Sequence, residues 1–172
     1  QAFFWAGYRL EERHWHLYWI PAYTSRGVVG LDATVDEDAG LDLQFINTTP
    51  DAVLIQAFAD DSTVTFRLYG NRPRWTVEVA EPQVTNRVPP DPQPVVEEDP
   101  TLPAGRRVAV ETAREGFDVT IVRTVTEGSD VRTLTLKSTY RPSRNVTLVG
   151  TGGGAASGTS AQNRPASGGA RE

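Results

Sequence analysis

Residues 41–79 read LDLQFINTTPDAVLIQAFADDSTVTFRLYGNRPRWTVEV, and this stretch decides the fold class. Apolar and polar residues alternate in runs, as in strands with one buried face: 41–45, 63–69 and 74–79. Residues 52–58 are apolar except for Gln56, which is typical of a strand covered on both faces. Clusters of Asn, Asp, Thr, Ser, Gly and Pro separate the runs, so the stretch predicts successive antiparallel strands.

The residues before this stretch predict a short helix and one more strand. Residues 1–7 are rich in aromatic side chains, lack an N-cap residue and end at Gly7, which suits the C′ position of a helix. They therefore predict the last turns of a helix. Polar and apolar residues largely alternate over 14–19, which predicts a half-buried strand, and Pro21 ends it.

The C-terminal half divides at a proline-rich stretch. Proline recurs at positions 82, 89, 90, 92, 94, 100 and 103, and each proline removes a backbone donor. Residues 82–103 therefore predict an extended, polyproline-like connector. Alternating runs around Gly116 and Gly128 predict a small second β segment over 104–151. Residues 152–172 consist mainly of Gly, Ala and Ser without aromatics and predict a disordered tail.

The prediction is therefore a mainly β chain (an α+β fragment) of antiparallel strands, with a first β segment over 1–81. The 172 residues suit one ordinary domain or two small ones. The net charge of -5 argues against nucleic-acid and anionic-membrane partners. Because the chain begins at Gln1 and contains no Met, we expect a fragment or a processed product, whose signal or anchor could lie elsewhere.

Cysteine is absent, which excludes a disulfide, a thiolate metal site and a cysteine nucleophile within this sequence. Only two histidines are present, so a histidine-rich metal site is not expected either. We expect no cofactor and no membrane insertion within the chain.

A series of motifs resembles the C-terminal part of the VanW-like domain. The motifs cover roughly residues 1–80 in this order: ERHWH at 12–16, YWIP at 18–21, GLDATV at 30–35, LQFINTTP at 43–50, LIQA at 54–57 and FRLYG at 66–70. Residues 99–151 are similar to the G-five module of surface proteins. Glycines stand where that module places them, at Gly105, Gly116, Gly128 and Gly150, although Ala113 replaces a further expected glycine.

These resemblances imply a bacterial, extracytoplasmic protein of the cell envelope. VanW takes its name from gene clusters for glycopeptide resistance, and the G-five module has been proposed to bind wall polymers or glycans that contain N-acetylglucosamine. The expected partner is therefore peptidoglycan or another wall glycan. The leading interpretation is a non-catalytic module that binds peptidoglycan or is positioned against it, and a structural stalk is a further alternative.

The resemblance also implies an enzymatic alternative. The family carries a cysteine in a glycine-rich segment upstream of the helix, where the helix dipole would favour a thiolate. His16 would then act as the base and Asp32 would orient it, as the C-terminal half of a cysteine-dependent wall hydrolase or transpeptidase. In the structural alternative, His16 donates to a backbone carbonyl and Asp32 caps a turn. His14 is a second candidate base, and a metal site of His14, His16 and Asp32 is another alternative.

Two further groups of side chains suit ligand binding. An aromatic group could stack on pyranose rings or form core: Trp15, Tyr18, Trp19 and Tyr23. The second group is cationic and could bind wall carboxylates or phosphates, although a solvated surface is the simpler interpretation. Its members are Arg106, Arg107, Arg123, Arg132, Arg141 and Arg144.

Overall fold

A computed structural model describes residues 1–24 and 27–152, and it confirms the prediction of a mainly β chain. The elements are α1 (Ala2–Trp5), β1 (Arg9–Glu12), α2 (Pro21–Thr24), β2 (Gln44–Ile46), β3 (Leu54–Ala59), β4 (Val64–Tyr69), β5 (Thr76–Val79), β6 (Gln83–Val88), β7 (Val95–Pro103), β8 (Arg107–Glu111), β9 (Gly116–Glu127), β10 (Asp130–Tyr140) and β11 (Val146–Gly152). The predicted tail lies outside the described residues from position 153 onward. None of the described helices is long and apolar enough to cross a bilayer.

The described strands form four sheets. Strands β1 and β2 pair with each other, as do β3 and β4. A larger sheet has the order β10-β9-β5, with β6 also paired to β9. The remaining sheet has the order β7-β11-β8. The antiparallel arrangement was predicted, but β7 and β11 run parallel.

The chain divides into two compact units. Unit 1 contains Gln1–His16, Ile20–Val84 and Val119–Ser138. Unit 2 contains Leu17–Trp19, Thr85–Asp118 and the residues from Thr139 onward. This division follows contacts in space, so it does not coincide with the boundaries at 81 and 103 that the sequence suggested, and those boundaries stay a prediction.

The core of unit 1 joins the N-terminal helix to β9. Its buried apolar side chains are Phe4, Tyr8, Leu31, Val119, Ile121, Val125 and Leu136. Arg123 is buried among them and donates through Nη1 to the Phe4 carbonyl and through Nη2 to the Tyr8 carbonyl, both at 2.8 Å. Its guanidinium also lies 5.0 Å from the centroid of the Phe4 ring. The Phe4 carbonyl also accepts the N–H of Gly7 at 3.2 Å, so the guanidinium links the end of α1 to the carbonyl of Tyr8 just beyond it.

Gly7 ends α1, as the sequence predicted. Its φ of +83° lies in the left-handed region, which glycine adopts without strain. A Cβ at this position would meet Trp75 Nε1 at 2.6 Å and Val77 Cγ2 at 2.7 Å. Gly7 therefore both ends the helix and leaves room for the side chains of Trp75 and Val77.

The strand predicted over 14–19 is wrong. Only isolated bridges occur there, between His14 and Thr34 and between Tyr18 and Arg141. The physical reason is visible at His16, whose backbone N–H donates to the carboxylate of Asp32 at 2.8 Å. A side chain has taken a donor that a strand would need, which interrupts the ladder.

The prediction that residues 52–58 are covered on both faces is also wrong. Strand β3 pairs only with β4 among the described strands, and every residue of β3 is exposed. An apolar run therefore does not by itself place a strand at the centre of a sheet.

The proline-rich stretch is not an unpaired connector, because it contains β6 and β7. Strand β7 is an edge strand, and its pairing with β11 is irregular between Gly150 and Gly152, where Pro100 falls on the β7 side. Prolines are tolerated at edges and bulges because the missing N–H is not needed there.

Unit 2 has its own small aromatic core. Phe117 and Tyr140 are buried and lie with ring centroids 5.2 Å apart, and Trp19 packs edge-on against Phe117 at 5.5 Å.

A Cβ on Gly150 would collide with the carbonyl oxygen of Pro103, so the close approach of β7 and β11 requires a glycine there.

Candidate functional site

The structure brings together the two residues that were predicted as base and orienting acid. His16 Nδ1 lies 2.9 Å from Asp32 Oδ2, and the same oxygen accepts the backbone N–H of His16 at 2.8 Å. The side chain of Asp32 is only 8% exposed, whereas that of His16 is 22% exposed. Asp32 therefore fixes both the backbone and the ring of His16.

Arg13 holds Asp32 from the other side. Its Nη2 lies 3.6 Å from Asp32 Oδ1, and its Nε donates to the backbone carbonyl of Asp32 at 2.7 Å. Nη2 also donates to the carbonyl of Gly30 at 2.7 Å and to Ser138 Oγ at 3.0 Å. The side chain of Arg13 is 7% exposed, and its guanidinium thus supplies the countercharge that a nearly buried carboxylate needs.

This arrangement defines what the imidazole of His16 can do. An ionised Asp32 accepts a hydrogen bond from Nδ1–H, which leaves the lone pair on Nε2. The ring of Tyr23 lies beside the imidazole, with 5.4 Å between centroids. The geometry suits a base whose tautomer is fixed, but the sequence supplies no cysteine to deprotonate.

His14 does not join this cluster. Its Nε2 lies 2.8 Å from Glu12 Oε1, and its backbone bridges to Thr34. Over residues 1–24 and 27–152 no group of three or more His, Asp or Glu side chains is arranged to hold a metal ion.

The predicted aromatic group is divided between the two units. Trp15 and Tyr23 belong to unit 1 and are 43% and 46% exposed, whereas Tyr18 is exposed in unit 2. Trp19 is only partly exposed and packs on Phe117, as described above. Trp19 is therefore part of the core, as one of the two interpretations of this group proposed. The other three side chains are accessible to a ligand.

The predicted cationic group is dispersed. Arg123 is buried in unit 1, and Arg132 lies over the ring of Trp75 at 5.5 Å in the same unit. Arg144 forms an ion pair of 2.7 Å with Asp91 in unit 2. Half of the group is therefore engaged in internal contacts.

Sequence reasoning missed a cleft at the base of the β3–β4 hairpin. It has a volume of about 300 Å³ and lies within unit 1. Its lining includes Tyr8, Tyr69, Asn71, Arg72, Pro73 and Trp75. The only signal in the sequence is the segment GNRPRW at 70–75, where two arginines and a tryptophan follow a strand in a turn.

One strongly shifted carboxyl lies in the turn of the same hairpin. Hydrogen bonds from Thr63 and Ser62 lower the pKa of Asp60 to about 2. The closest is from Thr63 Oγ1 to Oδ2 at 2.5 Å, and both backbone N–H groups donate to Oδ1 at 2.8 Å. Asp60 is thus a structural cap of the turn.

Comparison with known families bears on the N-terminal part of the chain. Residues 1–69 match the family described as VanW like protein, which confirms the resemblance of this region. No curated protein matches the chain.

Two solved G5 domains match part of the chain. The IgA1 protease G5 domain structure shares 22% identity, covers 48% of this chain and 99% of its own, and has a TM-score of 0.25. The crystal structure of HP0197-G5 shares 15% identity, covers 45% of this chain and 100% of its own, and has a TM-score of 0.20.

Proposed function

We propose that this chain is part of an extracytoplasmic cell-envelope protein and that it binds peptidoglycan without catalysing a reaction by itself. The observation that carries the proposal is the match of residues 1–69 to the VanW like protein family, which supports a cell-envelope protein. The sequence contains no cysteine, so the non-catalytic role is the simplest one for the chain alone.

Exposed aromatic side chains supply the chemistry of binding. Trp15 and Tyr23 in unit 1 and Tyr18 in unit 2 are each more than 40% exposed to solvent. Aromatic faces stack on the C–H faces of pyranose rings, and neighbouring polar groups bind the hydroxyls. The large exposed area of such rings is otherwise unfavourable in water.

Co-sedimentation with purified peptidoglycan sacculi tests the proposal. We expect the chain to pellet with sacculi and Trp15→Ala with Tyr23→Ala to reduce the bound fraction severalfold. Trp5→Ala is a matched control, because Trp5 is 44% exposed, close to the value for Trp15. Recovery of the unaltered chain in the supernatant would refute wall binding. Equal losses for Trp5→Ala and for the double variant would refute the assignment of these aromatics.

A second candidate function is favoured by the contact of 2.9 Å between His16 and Asp32. We propose that this pair is the base and orienting acid of a cysteine-dependent wall hydrolase or transpeptidase, in which another segment supplies the thiol. His16 Nε2 would accept the thiol proton, and the thiolate would attack a carbonyl carbon of the wall peptide. The protonated imidazole would then donate to the departing amine.

The test uses the longest gene product that contains a cysteine. The rate of thiol alkylation by iodoacetamide against pH reports the thiol pKa, and His16→Gln should raise that pKa by one unit or more. His14→Gln is the matched control and should leave it unchanged, since His14 pairs with Glu12 instead. An identical alkylation profile for His16→Gln and the unaltered protein would exclude the pair from thiol activation.

A further inference from the structure

The cleft at the base of the β3–β4 hairpin has a rigid aromatic wall. Trp75 Nε1 donates to the Ala6 carbonyl at 2.9 Å, and the Tyr8 ring meets the indole edge-on with 5.8 Å between centroids. The Arg132 guanidinium also lies 5.5 Å from the centroid of a Trp75 ring. These contacts fix the indole, so a ligand would meet a wall that needs no ordering on binding.

The rim of the cleft is polar and cationic. Asn71 donates through Nδ2 to Asp51 Oδ2 at 2.8 Å, which orients the amide and leaves its oxygen as an acceptor. Arg72 is exposed and forms no hydrogen bond or ion pair with another residue in the described part of the chain. Tyr69 is exposed beside them.

These features together select one kind of ligand. An aromatic wall suits the apolar face of a pyranose, and a free guanidinium at the rim suits a carboxylate, which it binds through two parallel hydrogen bonds. The volume of about 300 Å³ is at the lower end for ligand clefts, so it fits one sugar residue rather than a long polymer segment.

We propose that this cleft is a binding site for one carboxylate-bearing pyranose, an acidic sugar residue whose ring lies against Trp75 and Tyr69 and whose carboxylate binds Arg72. The site shares no residue with Trp15, Tyr18, Trp19 and Tyr23. The proposed sugar site and the proposed peptidoglycan contact can therefore be tested independently. Asn71 supplies the amide oxygen for a ring hydroxyl.

Nuclear magnetic resonance titration of the whole chain with D-glucuronate tests the site directly, because the resonance of the Trp75 indole N–H reports ligand contact with the aromatic side of the cleft. We expect saturable shifts at Trp75, Asn71 and Arg72 with a dissociation constant of the order of 1 mM. D-glucose, which lacks the carboxylate, should bind at least about tenfold more weakly than D-glucuronate. Acetate alone should not shift the Trp75 resonance.

Two variants separate the guanidinium from general charge. Arg72→Gln should weaken glucuronate binding about tenfold and bring it to the level of glucose. Arg74→Gln removes the same charge two residues away. In 0.15 M salt it should change the dissociation constant for glucuronate less than twofold.

Several results would overturn the proposal. The absence of shifts at Trp75 with glucuronate would exclude the site, and equal binding of glucose would exclude the role of Arg72. Equal or stronger binding of N-acetylglycine would assign the cleft to peptide carboxylates instead of sugars. None of these outcomes depends on whether the chain pellets with sacculi, so the two proposals fail independently.

Discussion

Two hairpins of unit 1 carry similar sequence patterns and have opposite surroundings. Strand β9 contributes Val119, Ile121 and Val125 to the core and β10 contributes Leu136. Strands β3 and β4 instead expose nearly all of their residues. On one face of the β3–β4 pair every side chain is apolar: Ile55, Ala57, Ala59, Val64, Phe66 and Leu68. The comparison teaches that alternation predicts a strand, while burial depends on which other elements pack against it.

Two isoleucines provide the strongest test of this contrast. Ile121 is 1% exposed on β9 and Ile55 is 55% exposed on β3. Ile121→Ala should lower the free energy of unfolding by about 2–5 kcal/mol, because it removes buried methyl groups and leaves a cavity. Ile55→Ala should change it by no more than about 0.5 kcal/mol. Urea unfolding followed by tryptophan fluorescence measures both, and equal losses would contradict the contrast.

Substitution of two arginines that lie over phenylalanine rings should give the next largest difference in the free energy of unfolding. Arg123 lies over Phe4 in the core, and Arg67 lies 5.2 Å from the Phe58 centroid on the hairpin. Arg123→Met keeps much of the apolar stem but removes the guanidinium N–H groups that donate to the Phe4 and Tyr8 carbonyls, so it should cost about 2 kcal/mol.

Arg67→Met is the control for this substitution. An exposed cation–π contact contributes only about 0.5 kcal/mol, so the free energy of unfolding should hardly change. If both arginine variants lost the same stability in urea, the carbonyl contacts of Arg123 would not be what distinguishes the two sites.

The sequence predicts much of this fold but little of its burial. The turn at Gly128 and the strands around it follow from glycine and alternation, which are local signals. The exposure of β3 does not follow from its sequence, because an apolar run has the same pattern whether or not another element covers it.

The candidate site was predictable in part. The contact of His16 with Asp32 was expected from the family resemblance, and the structure brings the two side chains together. Arg13, which neutralises Asp32, was missed because its partners lie at residues 30, 32 and 138, and no local pattern links them. Most of the lining of the cleft at Trp75 comes from residues 68–77, but Ala6, Tyr8 and Val53 complete it from elsewhere in the chain, so the local segment alone did not reveal it.

The smallest expected effect is on the pKa of Asp60, which lies in the turn of the exposed β3–β4 hairpin. The pKa of Asp60 is lowered from 3.8 to about 2 by bonds from Thr63 and Ser62 that form only in the folded turn. Because the folded-state pKa lies below the unfolded value, these bonds stabilise the turn above pH 3.8, and this contribution is lost as the pH falls through about 2.

The carboxyl resonance of Asp60 should therefore titrate with a midpoint near 2. Thr63→Val removes the hydroxyl donor and should move that midpoint toward 3.8. A midpoint near 3.8 for Asp60 in the unaltered chain would contradict the capped turn.

The binding isotherm of the whole chain on purified sacculi is the most direct test of the proposed wall contact. We predict saturable binding that soluble wall fragments displace and that 0.5 M salt weakens little, because stacked aromatic rings rather than ion pairs make the contact. Binding that never saturates, that soluble fragments fail to displace, or that salt abolishes would contradict it.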